Sequence, residues 1–203
     1  MRVGFVVDGI GEYRSLAGLF DQLRAMSDNT FLRVLKADIQ PYAGPRVIVR
    51  SCRKTVRALY DRGAERVVIL FDREAQVACA SELARSVEGI FRAECALDVS
   101  VVVKDRCFEN WLISDVDAFG HHPRRYRVSR GMRAQVEPDK ADQVDAQSWL
   151  ERAVVGSSYQ KGWDCVQICG SMDVQRAARN SRSFRRFLRV VGAGSYRGQS
   201  RLP

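Results

Sequence analysis

The 203-residue chain has only two histidines, His121 and His122, and because they are neighbours in a polar stretch they present no chelating face and complete no Ser-His-Asp or Cys-His relay. It has no Gly-x-x-x-x-Gly-Lys loop, which excludes NTPase chemistry carried by this chain alone. The Gly9-Ile10-Gly11 turn lacks the third glycine of a dinucleotide fingerprint and follows an acid, so that reading is rejected too. No apolar run approaches membrane-spanning length and Met1-Arg2 leads straight into a short apolar run rather than a signal peptide. The expectation is a cytoplasmic protein without membrane contact. The six cysteines are scattered; the one close pair, Cys165 and Cys169, has no histidine nearby, so free thiols are expected rather than disulfides or zinc. Acid is missing from the end of the chain: none follows Asp173, whereas eight arginines do.

What is present begins with two β-branched runs that end in acids. Val3-Gly4-Phe5-Val6-Val7 leads into Asp8 and, four residues on, Glu12; Val67-Val68-Ile69-Leu70-Phe71 leads into Asp72-Arg73-Glu74. Such runs suit strands buried on both faces of a parallel sheet, and acids after them stand at its carboxyl edge, where α/β proteins place their sites. Four converging carboxylates repel one another unless a cation lies among them, and oxygen ligands suit a hard ion such as Mg²⁺ or Mn²⁺. A formal net charge of +9 around that acid suggests a polyanionic partner.

Apolar periodicity predicts strands at 3–7, 31–35, 66–71 and 97–103, alternating with helices at 12–26, 49–62 and 76–91, and a tryptophan-bearing helix at 107–119. That order means an α/β fold: a largely parallel four-stranded sheet flanked by helices. The expected organisation is a core over 1–119, a polar loop insertion over 120–145 that is first arginine-rich and then acidic, and a helical C-terminal extension over 146–203. Within 181–191, Phe184, Phe187, Leu188 and Val191 repeat at i, i+3, i+4 and i+7, with Arg182, Arg185, Arg186 and Arg189 on the adjacent face. One face packs; the other is a solvated surface or a phosphate-gripping one. The clustering of arginine favours phosphate.

These residues resemble the TOPRIM fold of topoisomerases, primases and old-phage-type (OLD) nucleases, and more fully an uncharacterised group of bacterial TOPRIM-like proteins. The resemblance rests on Asp8-Gly9 with Glu12, Asp72-Arg73-Glu74, Cys107-Phe108-Glu109-Asn110-Trp111-Leu112 with Asp115, Tyr159-Gln160-Lys161, and Ser181-Arg182-Ser183-Phe184-Arg185-Arg186-Phe187. It implies a Rossmann-like TOPRIM core and Mg²⁺- or Mn²⁺-dependent phosphodiester cleavage. Asp8, Glu12, Asp72, Glu74 and Glu109 would serve metal, with Asp8, Glu12 and Lys161 in the chemistry. Arg73, Lys104, Arg182, Arg185, Arg186 and Arg189 would contact DNA or RNA. It also implies an anti-phage defence role beside an ATPase of the AAA or ABC kind. One departure is plain: the group carries glutamate before the glycine, and this chain has Asp8. That shortening keeps open a catalytically weak nucleic-acid- or partner-binding subunit of an ATPase complex, and a third reading is a metal-dependent nucleotidyl or phosphoryl transferase that uses the same acids on a nucleotide.

Overall fold

A computed structural model describes residues 1–74 and 79–199. The elements in order are β1 (Arg2–Val7), α1 (Ile10–Ser15), α2 (Phe20–Ser27), β2 (Thr30–Phe31), β3 (Leu35–Lys36), α3 (Pro45–Asp61), β4 (Arg66–Asp72), α4 (Ala80–Cys95), β5 (Val99–Lys104), α5 (Phe108–Ser114), α6 (Arg130–Val136), α7 (Ala146–Ala153), α8 (Lys161–Ser171), α9 (Val174–Asn180) and α10 (Arg182–Val190). The α/β class expected from the sequence is what is found. All pairings in the sheet are parallel, in the order β2-β1-β4-β5 with β3 also on β1, so the strand expected at 31–35 is two short pieces sharing one edge. The helix expected at 12–26 is α1 and α2 joined by a 3₁₀ turn at Leu16–Leu19, and that expected at 107–119 breaks at Asp115 into α5 and a 3₁₀ turn. Gln76 and Val77, placed in the third predicted helix, and Arg201 lie outside the described residues.

Strand alternation sorts the core into two layers. Val3, Phe5, Val7, Val68, Leu70 and Val102 turn to one face, where α2, α5 and the C-terminal helices pack; Val6, Val67, Ile69, Phe71, Val101 and Val103 turn to the other, against α3 and α4. The chain leaves β1 toward β2 and β3 on one side, then returns through α3 to place β4 on the other. The carboxyl ends of β1 and β4 are therefore the topological switch point, the crevice in which open α/β sheets seat ligands.

Two expectations about organisation change. The C-terminal helices are not an appendage, because Phe184, Phe187, Ile168 and Val174 belong to the same buried cluster as Phe5 and Trp111. Nor is 120–145 an exposed loop: it contains α6 and buries Tyr126, Val136 and Ala141. Its polarity is absorbed by ion pairs. Arg125 grips the fully buried Asp164 through two nitrogens at 2.8 and 2.6 Å, and Tyr126 donates to the same carboxylate at 2.5 Å. Among the described residues no helix is long and apolar enough to cross a membrane.

Candidate metal centre

Three neighbouring strands end together at the switch point, and each delivers a charge. Asp8 follows β1, Asp72 ends β4, and Lys104, in register with Asp72, ends β5. Glu12 comes from the first turn of α1, and its side chain, like that of Lys104, is fully buried. One oxygen each from Asp8, Glu12 and Asp72 can be chosen so that all three lie within 4.8 Å of one another. Lys104 Nζ sits among them, 3.0 Å from Asp8 Oδ1, 2.9 Å from Asp72 Oδ1 and in contact with Glu12 Oε1.

Both oxygens of Asp8 are in use, since Oδ2 accepts the Asp72 backbone N–H at 2.9 Å while Oδ1 faces Lys104. The short side chain spans adjacent strands at a length its partners fit, and it does not cap α1, whose cap residue is Gly9. Gly9 in turn makes room for Glu12: a Cβ there would stand 2.2 Å from Glu12 Oε2. Gly9→Ala should thus push the Glu12 carboxylate out of the cluster, with an overpacking cost of about 1–3 kcal/mol, read as a lower melting temperature together with loss of divalent-cation binding.

Burial works to raise the Asp8 carboxyl, but the Lys104 charge and the Asp72 N–H outweigh it and hold Asp8 below the ordinary aspartate value. Burial dominates at Asp72; repulsion from Asp8 and Glu12 adds to it against the pull of Lys104, and its carboxyl is pushed up to about 8. Burial disfavours the Lys104 ammonium, yet Asp72, Asp8 and Glu12 together raise it well above the usual lysine range. An acid whose folded pKa exceeds its unfolded value of 3.8 costs stability as pH rises between the two. Asp72→Asn should therefore melt higher than the parent at pH 9 and by a smaller margin at pH 6. Equal margins at both pH values would show that Asp72 carries no such burden.

The group can hold a metal ion. Its donors are all oxygen, one Lys104 ammonium leaves a negative excess over three carboxylates, and Glu12 Oε2 is buried with no hydrogen-bond partner. Asp72 Oδ1, although ion-paired to Lys104, also lacks a bond of hydrogen-bonding geometry.

The other predicted residues are placed unevenly. Glu74 is exposed and outside the cluster: its backbone turns left-handed (φ 54°) and its N–H bonds Arg106 O at 2.8 Å, which destroys the i, i+2 register with Asp72. Glu109 is buried beside the cluster, taking Lys161 Nζ at 3.0 Å and the Tyr159 hydroxyl at 3.4 Å. The Lys161 stem also lies 3.5 Å from where a Gly11 Cβ would be, so it borders α1 next to Glu12. Burial raises the thiols of Cys107 and Cys165, the latter to about 12, and the Tyr159 hydroxyl; these groups stay protonated and supply no thiolate. Lys104, expected to contact nucleic acid, has no exposed surface and is instead the cation of the cluster. On α10 the arginine face is partly spoken for. Arg185 forks onto Asp139 at 2.9 and 3.0 Å and Arg189 bonds Gln199 O, while Arg73 pairs with Asp105 at 2.6 Å.

The model of a family described as "Domain of unknown function (DUF4276)" matches residues 19–191. The chain belongs to that family. The DUF4276 match takes in Asp72, Lys104, Glu109 and Lys161 and begins after Asp8 and Glu12. No curated protein and no solved structure matches the chain.

Proposed function

We propose that the protein is a TOPRIM-like, Mg²⁺- or Mn²⁺-dependent nuclease that cleaves nucleic-acid phosphodiesters at the Asp8–Glu12–Asp72 cluster. The observation that carries this reading is the convergence of three carboxylates at the switch point with buried oxygens still lacking hydrogen bonds. A hard divalent ion, which Asp8, Glu12 and Asp72 would hold, would supply charge neutralisation on the phosphate and lower the pKa of a water. Asp8 and Asp72 anchor the cluster to adjacent strands, and Glu12 closes it from α1. Lys104 limits the repulsion among the acids, which keeps them together before any ligand arrives. Lys161, side chain partly exposed and paired with Glu109, would be the donor that protonates or stabilises a departing oxygen. An anti-phage role with an AAA- or ABC-type ATPase belongs to the same proposal and rests on the resemblance alone.

Lys104 also favours a second reading, a module that binds nucleic acid or a partner without cutting, because an internal ammonium already occupies the centre of the triad. Incubating the purified chain with plasmid DNA and total RNA, with Mg²⁺ or Mn²⁺ and with or without the protein encoded beside it, separates the two. Scission that disappears in Asp72→Ala is expected. Intact nucleic acid in every arm, with no divalent binding, would leave the second reading standing.

A further inference from the structure

Beyond the acid cluster, two adjoining cavities meet at Arg186. The first, about 300 Å³, is a mostly apolar slot between α4 and α10, lined by Ala80, Ala84, Val101, Val103 and Val190. Its floor is the outer edge of β5, the last strand of the sheet. Lys104 O bonds inward to Arg73 N and Val101 N–H bonds outward to Glu88 at 2.8 Å, so by strand alternation the Val103 peptide groups also face the slot. The second cavity, about 120 Å³, is lined by Arg73, Arg182, Arg186 and Asp105 and by the first turn of the 16-residue α4. Arg73 pairs with Asp105 at 2.6 Å, which leaves Arg186 as the cation turned to this cavity beside the N-terminus of α4.

Arg186 lines both cavities. Its Nε is buried without a hydrogen-bond partner, and no ion pair to it is found among the described residues. Burial and then the neighbouring Arg182 pull its guanidinium below the ordinary arginine value, with only partial relief from Asp105 and Asp142. A half-buried arginine next to another arginine is costly unless an anion completes it. An apolar slot of ligand size, with peptide groups along one wall and that anion site at its mouth, has the two halves that a nucleotide needs.

We propose that a nucleotide binds here, its base in the slot against the β5 edge and its phosphate on Arg186. This site stands independently of the metal centre. The nucleotide is either free or the terminal unit of a strand, and the recognition chemistry is the same.

The test is calorimetric titration of the full chain in EDTA with AMP, adenosine, ribose 5-phosphate, inorganic phosphate and a short 5′-phosphorylated oligonucleotide. AMP should bind at least about tenfold more tightly than adenosine, ribose 5-phosphate or phosphate, since each of those lacks one half of the contacts. Arg186→Gln should weaken AMP binding about tenfold or more without lowering the melting temperature, because it removes an uncompensated charge. Ala84→Phe, which fills the slot, should reduce AMP to the affinity of ribose 5-phosphate. An oligonucleotide that binds well above AMP assigns the site to a strand end, and parity assigns it to a free nucleotide. AMP no tighter than phosphate, or Arg186→Gln indistinguishable from the parent, overturns the proposal. Because EDTA removes divalent ions, a failed nuclease assay and a failed titration remain separate results.

Discussion

Lys104→Met is expected to destabilise the protein by about 3–5 kcal/mol near neutral pH, the cost of removing one member of a buried charge group. The ammonium has three acidic neighbours and no exposed surface, so its loss leaves their charge uncompensated in a buried site. Asp8, now held below its ordinary value chiefly against burial by Lys104, should take up a proton in the variant. Thermal unfolding with and without Mg²⁺ or Mn²⁺ makes the experiment decisive for the metal centre. If the cluster is a cation site, divalent ion should raise the variant's melting temperature more than the parent's, because the lysine no longer competes. A variant that loses stability and gains nothing from divalent ions would show that the acids exist to hold Lys104.

How much of this was legible in the sequence follows from which facts are local. Asp8 and Asp72 could be placed because an apolar strand announces its own end, and Glu12 because it lies one helical turn further on. Lys104 could not be given its role, since a lysine ending Val99-Ser100-Val101-Val102-Val103 reads equally as a flank or a phosphate contact. Only the register Asp72↔Lys104 turns it inward. The one available signal was the equivalence of the two strand ends, acid on one and base on the next. Glu74 failed for the converse reason: its spacing from Asp72 was right for a strand, but the backbone had left the extended region by then. The stretch 120–145 misled through its polarity, because Arg125 finds its acid at Asp164, distant in sequence, and Arg133 reaches back to Asp117 as well as on to Glu137. The packing face of α10 was readable, since i, i+3, i+4, i+7 spacing is local; which of its arginines are tied down depends on Asp139 and Gln199 and was not.

That packing face carries the other large effect. Phe187 is fully buried with its ring centroid 5.1 Å from Trp111, 5.7 Å from Phe184 and 6.1 Å from Phe5 on β1, and Trp111 donates to Ser183 at 2.7 Å. Phe187→Ala should cost about 3–5 kcal/mol through lost transfer energy and the cavity it leaves. Arg185→Gln, two residues away on another face of the helix and tied to a half-exposed Asp139, should cost under about 1 kcal/mol. The form of the transition matters as much as its midpoint. A C-terminal region with a core of its own would melt by itself in the Phe187 variant, leaving the sheet's transition where it was. Because Phe187 touches β1 and α5 at once, a single cooperative transition should move as a whole, whether followed by tryptophan fluorescence or by far-ultraviolet circular dichroism. Two separated transitions would restore the boundary between 1–119 and 146–203, and with it the possibility that the sheet with its acid cluster folds without α10.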